Sequence, residues 1–250
     1  MALMIKFVTR RKIPASDNAK LNILFIVLFH LSAEVPGYRS KVNADSYWNE
    51  FYRREFINFP SQFAVFALGE FQSNDGSVVD LGFGNGRDFA FFLQNGYQVW
   101  GADSSQQAVK NLRQHYQSLQ PNIQKVDFGD VERLRTFLRS IPKNSPRFFY
   151  CRFVLHSLSD DCWPGFLKTV ASEMEELDKF LLEFRTNIDD ALPKSTPIHF
   201  RRGLPPARVI GEGARVGLVA TYFVQGFGYA KFGVDDAHVA RIIFERKNGH

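Results

Sequence analysis

At 250 residues with 45% apolar side chains, the chain can build the core of one large domain, and it holds no internal repeat or low-complexity tract. Its net charge of +5 sits at one end: residues 1–45 carry seven Lys or Arg against three acids, while the remaining 24 basic and 23 acidic residues nearly cancel. A body this close to neutral argues against binding along a nucleic-acid backbone, and the two cysteines, Cys151 and Cys162, lack metal-type spacing and read as reduced thiols.

The most apolar stretch is LNILFIVLFHL at residues 21–31, with basic residues before it. Eleven residues are too few to span a ~30 Å hydrocarbon core. Three readings stand: an extension that touches a membrane through residues 20–33, an upstream stretch translated from a misassigned start, or an export signal. In each case residues 1–42 are expected to lie outside the fold, leaving residues 43–250 as one domain. From residue 45 the sequence turns aromatic, DSYWNEFYRREFINF, and Pro60-Ser61 opens a helix predicted over residues 62–71.

Residues 77–105, SVVDLGFGNGRDFAFFLQNGYQVWGADSS, carry the strongest local signal. A short apolar strand at 78–81 breaks into Gly82-Phe83-Gly84-Asn85-Gly86. A helical pattern follows over 87–93, then a second strand over 97–102 that ends on Asp103. A loop without side chains lets backbone approach a ligand, and the helix after it aims N–H groups at the same place. An acid at the tip of the next strand can accept hydrogen bonds from a ribose diol. The loop is D-x-G-x-G-x-G rather than G-x-G-x-x-G, and here the sequence resembles class I S-adenosylmethionine-dependent methyltransferases. The resemblance implies S-adenosylmethionine as cofactor, its methionine end lined by Asp80, Gly82, Gly84 and Gly86 and its ribose held by Asp103 with Ser104 beside it. It further implies that Tyr47, Ser61 and Phe63 close the pocket. Because that cofactor is kept inside cells, the implied location is cytoplasmic, with peripheral membrane contact left open.

Further on, Ser104-Ser105 cap a helix predicted over 104–119, and a third strand over 122–126 ends at Asp127-Phe128. By the same resemblance that acid and ring take the adenine. A helix over 130–139, a fourth strand over 147–151, a helix over 160–177 and a fifth strand over 179–184 continue the alternation. Such alternation predicts a Rossmann-like, doubly wound, seven-stranded and mostly parallel sheet with helices on both faces; the resemblance adds an antiparallel final strand. Arg152 is placed with the cofactor contacts. His156, beyond the fourth strand, is the first choice for a general base and His199 the second. Arg185, Arg201 and Arg202, with His199, form a basic rim suited to a carboxylate or phosphate. Two prolines and two glycines in LPPARVIGEGA argue against a helix at 204–214. Strands are predicted over 216–224 and 239–245.

Taken in order, YWNEFY, PSQFA, DLGFGNGRD, GADSS, VDFGD, RFVLHSL, LLEFRT, HFRR, QGFGYAKF and VARIIFER resemble a group of bacterial class I methyltransferases associated with surface polysaccharides. That likeness implies O-methylation of a sugar hydroxyl or a sugar phosphate on an O-antigen or capsule chain. A small-metabolite methyltransferase and a non-catalytic protein that only binds S-adenosylmethionine remain as alternatives.

Overall fold

The computed structural model describes residues 59–71, 75–192, 202–232 and 235–247. All lie in one compact unit, Val42–His250; the leader at 1–42 and the aromatic stretch at 45–58 fall outside the described residues.

The chain enters through helix α1 (Gln62–Glu70), capped by Ser61, whose hydroxyl accepts the Ala64 N–H. Strand β1 (Ser77–Leu81) follows, then α2 (Arg87–Gln94), β2 (Gln98–Asp103), α3 (Gln106–His115) and the short β3 (Ile123–Lys125). Next come α4 (Val131–Arg139), β4 (Arg147–Arg152), α5 (Trp163–Glu173) and β5 (Lys179–Arg185). The chain closes with α6 (Pro206–Arg215), β6 (Leu218–Gly226), a small hairpin of β7 (Lys231–Phe232) and β8 (Asp235–Asp236), and β9 (Val239–Arg246).

Seven strands form one sheet in the order β3-β2-β1-β4-β5-β9-β6, and only β9 runs against the others. This is the expected Rossmann-like sheet. Every residue of β1 and β5 is buried, because helices cover both faces of a parallel sheet and leave no side for water. Alternate residues supply two cores. Val78, Phe148, Tyr150 and Leu181 pack with Phe63, Phe89, Phe92 and Leu112 from α1–α3 on one face. Val79, Leu81, Phe149 and Phe180 pack with Phe137, Trp163, Phe166 and Val209 from α4–α6 on the other. From β1 the chain first moves outward to β2 and β3, then jumps back across to β4. The carboxyl ends of β1 and β4 therefore open a crevice between diverging connections, the place where ligands bind in such sheets.

Three expectations need correction. The helix predicted over 104–119 ends at His115 and passes into a 3-10 turn, Gln117–Asn122, that holds Pro121. The loop between the last two strands contains the β7–β8 hairpin. Residues 206–215, read as non-helical, form α6. Pro206 takes the first helical turn, where a missing N–H costs nothing. Gly213 is needed for close approach: a Cβ there would come within 2.6 Å of the buried Phe244 ring on β9. Among the described residues no helix is long and apolar enough to cross a membrane.

The two helix glycines should respond to alanine in opposite directions. Gly211 has open space around its Cβ position, so Gly211→Ala should raise stability by about 0.5–1 kcal/mol through helix propensity. Gly213→Ala should lower it by about 1–3 kcal/mol through overpacking against Phe244. Urea unfolding of the two variants measures both, and a stabilised Gly213→Ala would refute the close packing of α6 on β9.

Candidate functional site

The turn after β1 is built from three glycines with positive φ: +89° at Gly82, +57° at Gly84 and +79° at Gly86. Side chains are strained there. At Gly82 space forbids one as well, since a Cβ would lie 2.2 Å from Val154 Cγ2. Backbone hydrogen bonds hold the turn closed, with Gly82 N–H on Ala102 O at 2.8 Å and Gly86 N–H on Phe83 O at 2.9 Å. The decisive tie is Asp103. Its Oδ2 accepts the Gly84 N–H and its Oδ1 the Ser105 N–H, each at 2.8 Å. One carboxylate thus joins the glycine turn to the start of α3.

Burial nevertheless pushes the Asp103 carboxyl up to about 6, against the pull of the backbone N–H groups of Ser105, Gly84 and Ser104. Asp80, 1% exposed, is displaced further in the same direction. Burial is the main cause, and the neighbouring charges of Asp88 and Asp103 add to it while Arg152 opposes. Asp80 Oδ2 has no hydrogen-bond partner. A buried acceptor left open is costly, so this corner is prepared for a cation or a hydrogen-bond donor. Asp88 is differently placed. Its Oδ1 takes the Ser61 N–H at 2.7 Å, and its Oδ2 takes the Ser61 and Tyr150 hydroxyls at 2.8 and 2.7 Å. Asp88 therefore clamps α1, α2 and β4 together under the turn. An S-adenosylmethionine molecule, with a positive ammonium and sulfonium and a ribose diol, fits these groups: Asp80 offers an open carboxyl oxygen, whose ionisation a nearby cation would favour, Asp103 the remaining lone pairs, and the turn a surface without side chains.

Not every residue expected at the pocket is there. Ser61 is buried, its polar atoms engaged with Asp88, Tyr150 and Ala64. Phe63 has no exposed surface and stacks on Tyr150 at 4.9 Å. Both are core and clamp residues rather than a lid, because α1 packs its apolar face onto the sheet. Tyr47 lies outside the described residues. Asp127 is exposed, its Oδ1 accepting the Gly129 N–H at 2.9 Å. With Ser104, Lys125, Asp130 and Arg133 it lines a cleft of about 280 Å³ beyond the tip of β2. Phe128, expected to face the adenine, points into the core and meets Phe166 edge-on at 5.4 Å.

Across the crevice the basic rim is already neutralised. Arg152 Nε donates to Glu183 Oε1 at 2.9 Å, and the other oxygen of that fully buried carboxylate takes Arg241 Nε at 2.8 Å. Arg185 pairs with Asp189 at 2.8 Å and with Asp235 at 3.4 Å. Arg202 and Arg208 share Asp160. Arg201 and His199 lie outside the described residues. His156 is buried in a 3-10 turn, Leu155–Ser157, and its Nδ1 accepts the backbone N–H of Arg185 at 3.3 Å. With that lone pair engaged, Nδ1 is not the nitrogen that would take an acceptor's proton. Sequence reasoning missed Asp88, Tyr150, Glu183 and Arg241, whose partners come from distant parts of the chain. It also missed Phe153, a non-glycine residue at φ +61°, whose ring lies under the Arg152 guanidinium at 4.2 Å.

Asp103 makes stability depend on pH with a defined sign. Its folded value of about 6 exceeds the ordinary 3.8, so its contribution is full below about pH 4 and is lost as the pH rises through about 6. The displacement corresponds to on the order of 3 kcal/mol. Asp103→Asn should flatten that fall in urea melts of the cofactor-free protein between about pH 4 and pH 6.5. An unchanged slope would mean the carboxylate is not buried as described.

Comparison with known proteins agrees with this geometry. Residues 78–175 match the family model described as "Methyltransferase domain". No curated protein matches the chain in sequence. Among solved structures, a SAM-dependent methyltransferase from Anabaena variabilis ATCC 29413 superposes with a TM-score of 0.63 at 15% identity, over 83% of this chain and 96% of that one. The CcbJ methyltransferase from Streptomyces caelestis gives 0.57 at 15% identity over 84% and 100%. The glycopeptide N-methyltransferase MtfA, complexed with S-adenosyl-L-homocysteine, gives 0.55 at 18% identity over 78% and 92%. At these identities the solved structures speak for the fold, and the matched stretch speaks for the chemistry. The glycine turn, the open Asp80 oxygen and the match of residues 78–175 to the methyltransferase-domain model agree with one another: the chain has the fold of S-adenosylmethionine-dependent methyltransferases, and its glycine-turn half resembles a methyltransferase domain.

Proposed function

We propose that the protein methylates a hydroxyl of an uncharged glycan or similar small acceptor, with the motif resemblance to surface-polysaccharide enzymes favouring a sugar. The observation that carries the choice of hydroxyl over phosphate is the state of the rim: each described arginine there, Arg152, Arg185 and Arg202, already faces a carboxylate. At Arg152 and Arg185 a phosphate would have to displace Glu183 or Asp189, both buried, and each displacement would leave an acid without its cation; Arg202 faces the exposed Asp160, which it shares with Arg208.

When bound, S-adenosylmethionine supplies a methyl group on a positively charged sulfur, open to in-line displacement by an acceptor oxygen. The protein's part is to hold and align the two. Asp80 and Asp103 would fix the cationic and ribose portions, and the turn from Gly82 to Gly86 would admit the cofactor backbone. Ser104 and Asp127 would bound the adenine side. Alignment of this kind supplies on the order of 7–11 kcal/mol of a displacement barrier. Such an enzyme works where its cofactor is made, in the cytoplasm, and residues 20–33 would let it rest on a membrane surface near a lipid-linked glycan.

Isothermal titration with S-adenosylmethionine and S-adenosylhomocysteine tests the cofactor site. One site per chain is expected for each, and Asp103→Ala should weaken both by about 1–3 kcal/mol, the scale of a lost charged hydrogen bond. His156→Ala should lower the melting temperature and leave affinity intact. No heat with either ligand would end this reading. Transfer of a labelled methyl group to phosphorylated glycans and not to neutral ones would overturn the choice of acceptor. Tight binding with no transfer to either would favour a protein that only binds the cofactor.

A further inference from the structure

His238 was not singled out by its sequence context, and the tertiary structure brings it to the carboxyl edge of the sheet, beside the end of β5. Strand β9 runs antiparallel to β5, pairing Arg185 with Val239. The residue before β9 is thereby brought to the carboxyl edge of the sheet, beside Thr186, the residue after β5. His156 reaches the same edge from β4, but its Nδ1 is taken by the Arg185 N–H.

The His238 ring is oriented by a buried hydroxyl. Thr186 has no exposed surface, and its Oγ1 lies 2.6 Å from His238 Nδ1 and 3.5 Å from the His238 carbonyl oxygen. Thr186 N–H donates to His238 O at 3.0 Å, and the His238 N–H is anchored in turn on the Asp189 carboxylate, at Oδ1, 3.1 Å. Only one proton arrangement uses both hydroxyl contacts. In that arrangement the Thr186 O–H turns toward the carbonyl at 3.5 Å and its oxygen accepts from Nδ1–H. The neutral ring then presents an unprotonated Nε2. That nitrogen has no hydrogen-bond partner among the described residues. It is also not one of the sealed, unpartnered atoms, which are Asp80 Oδ2, Trp100 Nε1, Arg147 Nη1, Trp163 Nε1 and Arg202 Nη2. His238 as a whole is 7% exposed, so the ring reaches the surface only along a narrow edge. Beside it the Phe227 ring stands edge-on to the imidazole at 4.8 Å and is 52% exposed, an apolar wall for an acceptor.

We propose that His238 is the general base of methyl transfer, with Thr186 as its positioning residue. The inference rests on the hydroxyl-acceptor reading above. The acceptor hydroxyl gives its proton to Nε2 as its oxygen bonds to the methyl carbon. The sulfur keeps the electron pair of the broken carbon–sulfur bond, and the imidazolium later returns the proton to water. The charged groups around the pair are Asp189 on the main chain of His238, Arg185 bound to Asp189, and Asp235 and Asp236 on β8. This arrangement is the one a base needs: a fixed ring, one nitrogen held by an orienting group and the other free.

Two measurements test it. Nitrogen-15 spectra of the full chain labelled at histidine read the tautomer without any acceptor. His238 should be protonated at Nδ1 and bare at Nε2, Thr186→Ser should keep that state, and Thr186→Val should lose it. A wild-type His238 protonated at Nε2 would overturn the proposal, whatever the variants do. The second measurement is methyl transfer from S-adenosyl-[methyl-³H]methionine to a panel of neutral mono- and disaccharides. His238→Gln should lower kcat at least 100-fold, the usual scale for a lost base, with KM for S-adenosylmethionine and its titrated affinity within about twofold. Retained kcat in His238→Gln would sink His238 alone; absent cofactor binding in the wild type would instead sink the reading on which it rests. Where no panel member is methylated, the ring-nitrogen spectra decide.

Discussion

The site depends on an electrostatic conflict that the fold creates and holds. Asp80, Asp88 and Asp103 converge beneath one glycine turn, all buried. Burial, more than their mutual repulsion, raises the carboxyls of Asp80 and Asp103. Each is handled differently. Asp88 is quenched by three hydrogen bonds from Ser61 and Tyr150. Asp103 is steadied by backbone N–H groups of the turn and of α3. Asp80 keeps one oxygen without a partner. A ligand that brings positive charge or a hydrogen-bond donor to that oxygen would satisfy what the protein by itself does not.

On the far side of the crevice the logic is reversed. Positive groups are abundant at the ends of β4, β5 and β9, and each described one is matched. Glu183 lies between Arg152 and Arg241, and Asp189 and Asp235 hold Arg185. Removing one member of such a buried set leaves the others uncompensated, so these groups act as struts. Their role is geometric: they fix the turn around Phe153 and the register of β5 on β9, and so the place of Thr186 and His238. One side of the crevice thus keeps an unpartnered carboxyl oxygen at Asp80, whereas the other pairs its described arginines with acids and carries the exposed Phe227 ring.

Between the halves runs a sheet whose two faces are nearly equally apolar. That symmetry explains the burial of whole strands such as β1 and β5. It also explains why α6 must come so close to β9 that Gly213 cannot carry a side chain. The same close fit holds the far end of β9, and with it the residue before its first position, at a fixed height on the carboxyl edge.

By itself the sequence determined the order of elements as far as β5, the sheet class and the glycine turn. These are local properties: alternating apolar runs, glycines where φ must be positive, and acids at strand ends all sit within a few residues of what they build. It misjudged α6 because propensity was weighed without position: Pro206 at the first turn is harmless, and Gly213 is demanded by a ring on another strand. It placed Phe63 and Phe128 at the pocket because an aromatic next to a motif looks the same whether it faces a ligand or the core. It read arginines as an open rim because their partners lie far along the chain, as Arg152 and Glu183 do. Only the tertiary structure decided which charges are spent and which are free, and only the antiparallel insertion of β9 set His238 beside Thr186. Pairings between residues some fifty positions apart are fixed by topology, which no local pattern records.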